Sequence, residues 1–253
     1  MFSKVGCRSR PLFCPGFAAL SFGGKFASLA VFCNFPDMSA TTNWAEAIRP
    51  LLKKYQKKKH PLDYQNNYQL IVMVVLSAQS TDIVINKLAP GLFKAFPGMP
   101  ALSKATVAKL SPYIHGVRNF GNKADWLIQI AKKIKTDSQI PLSMEELTAL
   151  PGIGRKSANV ILREAGVAPQ GIIVDLHVLR VAPRLGIATG ADPKKMEQQL
   201  MDSLPKKEWD AGMAMSFLGR EICRPKPKCE ICLMNRVCTY YAERSAGPAT
   251  PTR

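Results

Sequence analysis

At 253 residues the chain is long enough to bury one large core, or two smaller helical ones with a cleft between them. Its 35 Lys and Arg stand against 18 Asp and Glu, a formal net charge of +17, whose field attracts a polyanion and points to nucleic acid without separating DNA from RNA. No apolar run reaches the roughly 20 residues that cross a bilayer, because Gly23, Gly24 and Lys25 break the most apolar N-terminal part, so a soluble chain with no membrane partner is expected.

Residues 1–42 are set apart from the fold as an irregular, disordered extension. The first 36 residues contain Lys4, Arg8, Arg10 and Lys25 and no acid, with no helical period. That composition fits an organelle transit peptide, although Pro11 and Pro15 spoil a simple amphipathic helix, or else a mis-assigned start with Met38 as the true first residue. From Asn43 the pattern turns helical. Asn43 can cap, Glu46 lies three residues on, and Trp44, Ile48, Leu51, Leu52 and Tyr55 share a face. Leu70 to Leu76 is apolar all round, which fits a surrounded helix or a buried strand, and its neighbours favour helix. Further amphipathic segments run from Asp82 to Phe96, Ser103 to Leu110, Asn122 to Ile134, Ser143 to Leu150, Arg155 to Ala165, Leu176 to Leu185 and Pro193 to Leu204. Ile172 to Val174 is the best strand candidate, and with so little alternation elsewhere the fold class is all-α. A disordered tail is expected over 242–253.

The segment from Ser143 to Gly166 is the most informative. Ser143 and Glu146 make a capping box for a first helix, Pro151 stops it, and Gly166 is placed to end a second helix that begins near Arg155. The joint is Pro151-Gly152-Ile153-Gly154. Gly152 and Gly154 remove side chains where backbone N–H groups must approach a phosphate, and the second helix turns its positive N-terminus, starting with Arg155, toward the same anion. A lone G-x-G would fit an ordinary tight turn equally well, but the LPGIGRKSA context makes this a helix-hairpin-helix phosphate grip.

LPGIGRKSANVI followed by IIVDLHVLRV resembles the helix-hairpin-helix glycosylase superfamily and, within it, the endonuclease III family. The resemblance spans roughly Asn43 to Tyr241. It implies that the lysine after the hairpin, Lys156, is a nucleophile and that the aspartate about twenty residues later, Asp175, assists it. The chemistry suits those residue types. A lysine amine attacks the sugar C1′ only when unprotonated, and the helix N-terminus with Arg155 and Arg163 nearby would disfavour the ammonium form. Attack expels the base and leaves a Schiff base that acidifies the C2′ proton for β-elimination. Asp175 would offset positive charge on the sugar and move protons, and it can also cap the helix that follows.

Chemistry on a base inside a duplex requires its extrusion, and something must fill the gap. LSAQSTD resembles the family's LSAQxTD, whose glutamine inserts there, and this maps onto Gln79; Asp82 is expected to cap the next helix. In IHGVRNFGNKA, Arg118 and Asn119 stand in the second insertion loop, where the family usually has Gly-Leu-Tyr. VDLHV replaces VDTHV, so Leu176 stands beside Asp175; His177 matches the family histidine, and Pro183 replaces a common Asn.

Four of the seven cysteines, Cys223, Cys229, Cys232 and Cys238, fall in one window with spacing C-x5-C-x2-C-x5-C, one residue shorter in its first gap than the family pattern. Clustering favours a metal site over disulfides, and the spacing alone accepts a 4Fe-4S cluster or tetrahedral zinc. The resemblance implies one 4Fe-4S cluster, with zinc as the alternative. Arg224, Lys226 and Lys228 between the first two ligands are read as phosphate contacts, the alternative being solvated charge. Cys7, Cys14 and Cys33 in the extension carry no role.

The expected protein is an all-α, two-lobed enzyme acting as a monomer on double-stranded DNA that contains damaged bases or AP sites. One lobe spans 61–168 and ends with the hairpin; the other joins 43–60 to 169–241. The implied activity is that of a DNA glycosylase and AP lyase of base excision repair acting on oxidised pyrimidines. The rivals are an adenine-type mismatch glycosylase without lyase activity, which would lack Lys156, and a non-catalytic hairpin protein, which would need neither Lys156 nor Asp175. The expected setting is intracellular: a bacterial cytoplasm, or a nucleus or mitochondrion if the extension is a transit peptide.

Overall fold

The computed structural model describes residues 42–246, so the extension with its three cysteines and residues 247–253 lie outside the described residues. The first amphipathic stretch divides into α1 (Trp44–Ala47) and α2 (Arg49–Tyr55), because Pro50 suits a helix start and not a helix interior. Asn43 makes no side-chain cap there. The uniformly apolar run is α3 (Asn67–Ser77), buried from Leu70 to Leu76 and capped by Asn66, which accepts from the Gln69 N–H.

Then follow α4 (Asp82–Ala95), α5 (Met99–Ser103), α6 (Val107–Ile114) and α7 (Phe120–Ile134). The helix expected from Ser103 to Leu110 is thus corrected to parts of two, with Thr106 capping the second by accepting from the Lys109 N–H. The hairpin is α8 (Met144–Thr148) and α9 (Arg155–Glu164). Ser143 accepts from the Glu146 N–H and donates to the Glu146 carboxylate, and Gly166 leaves α9 at φ +76°. After it come α10 (Val178–Leu185), α11 (Pro193–Ser203), α12 (Ala211–Glu221) and α13 (Thr239–Ser245). The tail expected to be irregular from residue 242 begins as the last turns of α13.

Among the described residues there is no strand. Ile172 to Val174, the strand candidate, is buried but in no regular element, and its neighbour is a helix: a Cβ on Gly212 of α12 would lie 2.5 Å from the Ile173 carbonyl oxygen. That close helix-to-backbone approach depends on glycine and holds the segment leading to Asp175 against α12. α3 packs on α9, α5 and α6 on α7, and α12 on α2 and α10, so one continuous apolar core supports both ends of the site. Among the described residues no helix is long and apolar enough to cross a membrane.

Candidate active site

The hairpin and the chain after it bring Lys156, Asp175 and the LSAQSTD loop to one cleft of about 870 Å³, within the range of roughly 300–1,000 Å³ usual for ligand sites. Gln79, Arg118, Lys156, Asp175, Leu176 and Arg220 all line it. A tighter recess that shares Lys156, Asp175 and Arg220 with it adds His60 and Ser216.

Lys156 stands in the first turn of α9 and reaches solvent through the cleft. The surrounding protein pushes its amine below the ordinary lysine range, mainly by desolvation; Asp175 and Asp82 oppose this and Arg220 reinforces it. The contributing guanidinium is therefore Arg220, whereas Arg155 and Arg163, expected from sequence to do this, are engaged elsewhere. Arg155 pairs with Glu197 at 2.9 Å and donates to the Gln170 carbonyl; Arg163 pairs with Asp210 and Glu164.

Asp175 is held from both sides. Its Oδ1 accepts from the His177 and Val178 backbone N–H groups at 2.8 and 2.9 Å, the capping role expected of it, and its Oδ2 accepts from the Ser216 hydroxyl at 2.6 Å. Arg220 approaches the same oxygen at 4.0 Å. Together these donors fix the carboxylate in the cleft wall.

Asp82 does not cap α4. Thr81 does, accepting from the Val84 N–H, while Asp82 pairs with Arg220 at 2.6 Å and faces the recess. The sequence reading missed Arg220, Ser216 and His60. Burial pushes the His60 imidazole down to about 4, with Lys156 working in the same direction against Glu164, so a neutral ring lines the recess. His177 accepts from Arg180 at 3.1 Å, and Arg180 also donates to the Cys223 and Gly219 carbonyls, which makes His177 part of a scaffold between cleft and cysteine loop.

The two candidate insertion loops carry strained backbone. Gln79 has φ +59° and Asn119 φ +55°, left-handed values that non-glycine residues adopt at a cost of about 1–3 kcal/mol, and Gln79, Arg118 and Asn119 are all exposed. At the hairpin Gly152 has φ +75° and a Cβ there would meet Trp126 at 2.5 Å, while Gly154 has open space around it. Leu176 is 79% exposed on the cleft rim.

Cys223, Cys229, Cys232 and Cys238 are free thiols lining one small cavity, closed by Leu185, Leu218 and Ile222. Among the described residues no three His, Cys, Asp or Glu side chains gather closely enough to hold a single ion. Four thiols lining one cavity whose wall is otherwise apolar are a donor set that suits a thiolate-ligated group, an iron-sulfur cluster or zinc. Arg184 of α10 ties the loop by donating to the Arg224 and Pro225 carbonyls, and Arg224, Lys226 and Lys228 project from it into solvent.

Comparison with known proteins agrees with this geometry. The family described as HhH-GPD superfamily base excision DNA repair protein matches residues 72–206, a stretch that holds the hairpin, Lys156 and Asp175. The chain is 37% identical over 206 residues to endonuclease III of Synechocystis, covering 79% of this chain and 94% of that protein, and 33% identical over 205 residues to endonuclease III of Haemophilus influenzae, covering 78% and 97%. A solved structure of a trapped endonuclease III-DNA covalent intermediate superposes with a TM-score of 0.73 at 30% identity, covering 81% of this chain and 99% of that one. A lysine and an aspartate in one cleft, at the positions the hairpin pattern specifies, therefore come with near full-length similarity in sequence and in shape: the chain belongs to the HhH-GPD superfamily of base excision DNA repair proteins and, within it, to the endonuclease III family.

Proposed function

We propose that this endonuclease III family member is a bifunctional DNA glycosylase and AP lyase that removes oxidised pyrimidines from duplex DNA through a Schiff base on Lys156. The observation that carries the reading is the desolvated amine of Lys156 sharing a cleft with the fixed carboxylate of Asp175. The neutral amine attacks C1′; the N–C1′ bond forms as the glycosidic bond breaks, and its electron pair and a proton leave with the base. Opening of the sugar ring gives the imine, and loss of the C2′ proton expels the 3′ phosphate by β-elimination. Asp175 stabilises positive charge on the sugar during departure of the base and accepts or returns the proton of the amine.

Duplex DNA is gripped by the backbone N–H groups around Gly152 and Gly154 and by the start of α9 at Arg155, with the two lobes 61–168 and 43–60 plus 169–241 flanking it. Gln79, Arg118 and Asn119 fill the gap left by the extruded nucleotide. Cys223, Cys229, Cys232 and Cys238 would hold one 4Fe-4S cluster, which would staple the loop that offers Arg224, Lys226 and Lys228 to phosphates. The protein acts as a monomer.

The test is borohydride trapping on duplexes that each carry one defined lesion. Wild type is expected to become covalently linked to duplexes with oxidised pyrimidines, and Lys156→Gln to bind but not to be trapped. Asp175→Asn should bind and turn over about 100-fold more slowly, a loss typical of removing a general acid-base or charge-stabilising group. Normal strand cutting by Lys156→Gln would sink the mechanism.

A further inference from the structure

Lys123 is the one lysine buried among the described residues, with 3% of its surface exposed, and there no carboxylate pairs with it. Burying an ammonium without a counter-ion costs free energy, and an apolar side chain of similar length would fill the same space without that cost. Desolvation accordingly pushes its amine below the ordinary range. Its partners are backbone: Nζ donates to the Leu76 carbonyl at 2.8 Å and to the Ala78 carbonyl at 2.5 Å. Those carbonyls belong to the C-terminal end of α3, where they have no acceptor role within the helix and where a cation is favoured. The next residue is Gln79, held at φ +59°.

Lys123 also sits one turn into α7, and its own N–H bonds the carbonyl of Asn119, the left-handed residue that begins that helix. A second link runs parallel, since the Arg118 N–H donates to the Ser80 hydroxyl at 3.3 Å. One side chain thus joins the end of one insertion loop to the first turn beyond the other.

We propose that Lys123 is a positioning residue that fixes the 77–81 loop and the 115–119 loop as a single two-pronged device for holding the duplex open around an extruded nucleotide. This rests on reading Gln79, Arg118 and Asn119 as the residues that enter the duplex. Lys123 touches neither DNA nor the reacting atoms; it sets the spacing of the two prongs and keeps Gln79 in its left-handed turn without refolding the loop on each encounter.

The test compares Lys123→Met, Ser80→Ala and Gln79→Ala on two substrates: a duplex with one oxidised pyrimidine under single-turnover conditions, and an AP site in single-stranded DNA, where there is no partner base to replace. Lys123→Met should bind undamaged duplex as wild type does, cleave the single-stranded AP site at the wild-type rate, and lose at least 10-fold in duplex excision at saturating enzyme. Gln79→Ala should also lose duplex excision, and the half-buried Ser80→Ala should lose less of it in the same direction, which keeps the test intact if Lys123→Met does not fold. Wild-type duplex excision by Lys123→Met overturns the proposal, as does equal loss on both substrates by a folded variant; where that variant is unfolded, a Ser80→Ala that excises as wild type does overturns it. A loss in Lys123→Met that Gln79→Ala lacks would instead remove the reading of Gln79 as a wedge, and the proposal with it.

Discussion

Lys156 shows how the surroundings of a cleft residue can lower the proton affinity of a lysine amine. The residue as a whole is exposed, yet desolvation of its amine dominates its titration, with the carboxylates of Asp175 and Asp82 pulling the other way. On the proposed mechanism only the neutral amine attacks, so the single-turnover rate should rise with pH through the lysine pKa and level off below the ordinary value of about 10.4. Asp82→Asn removes a carboxylate that favours the ammonium form and frees Arg220 from its 2.6 Å ion pair, and both changes depress the amine further. The rising limb should therefore move to lower pH in Asp82→Asn, measured by single-turnover excision across a pH series. A shift upward, or none, would mean that Asp82 does not act on Lys156. The sequence named Lys156 and Asp175 because they sit in motif text. It could not name Ser216 and Arg220, which lie 41 and 138 residues from the groups they contact and reach the cleft only through the packing of α12.

At the scale of elements, the two glycines of the hairpin do different jobs that one motif conceals. Gly152 is required by the fold, since its φ is +75° and a Cβ would strike the Trp126 ring at 2.5 Å. Gly154 has ordinary φ and nothing within 4 Å, so no internal contact demands glycine there, and the proposed phosphate grip is the role left to test. Gly152→Ala should destabilise the protein by about 1–3 kcal/mol through strain and overpacking, read as a lower urea midpoint. Gly154→Ala should melt as wild type does and bind duplex more weakly. Equal stability loss in both would remove the distinction. The hairpin was legible because capping box, proline and glycine are local signals. α12 was not: Ala211 to Gly219 is buried on every side, so there is no polar face to set a period, and its small residues serve contacts such as Gly212 against Ile173 that a pattern cannot reveal. The split at Ser103 was lost for the opposite reason, since two short helices in succession imitate one amphipathic stretch.

Across the whole molecule, a net charge of +17 draws in DNA anywhere on its length, and the fold must convert that general attraction into a fixed pose. A covalent and hydrogen-bonded path connects the two. Arg220 lines the cleft, and one turn later Arg224 begins the cysteine loop, its Nε donating back to the Arg220 carbonyl at 2.8 Å. Arg184 holds the same stretch from α10, the helix that begins just after Asp175. Lys226 and Lys228 are thereby held at a set distance from the reacting centre while remaining exposed. Neutralising both to Ala should weaken binding to damaged and undamaged duplex by the same factor, because phosphate contacts carry no lesion information. It should also lower the slope of log affinity against log salt by about 0.9 for each phosphate that is no longer neutralised. Affinity titrations at several salt concentrations, run in parallel on both duplexes, read the two effects separately. If slope and affinity both stay at wild-type values, the lysines are solvated charge on a stapled turn; if only damaged duplex is affected, they read the lesion and the phosphate assignment fails.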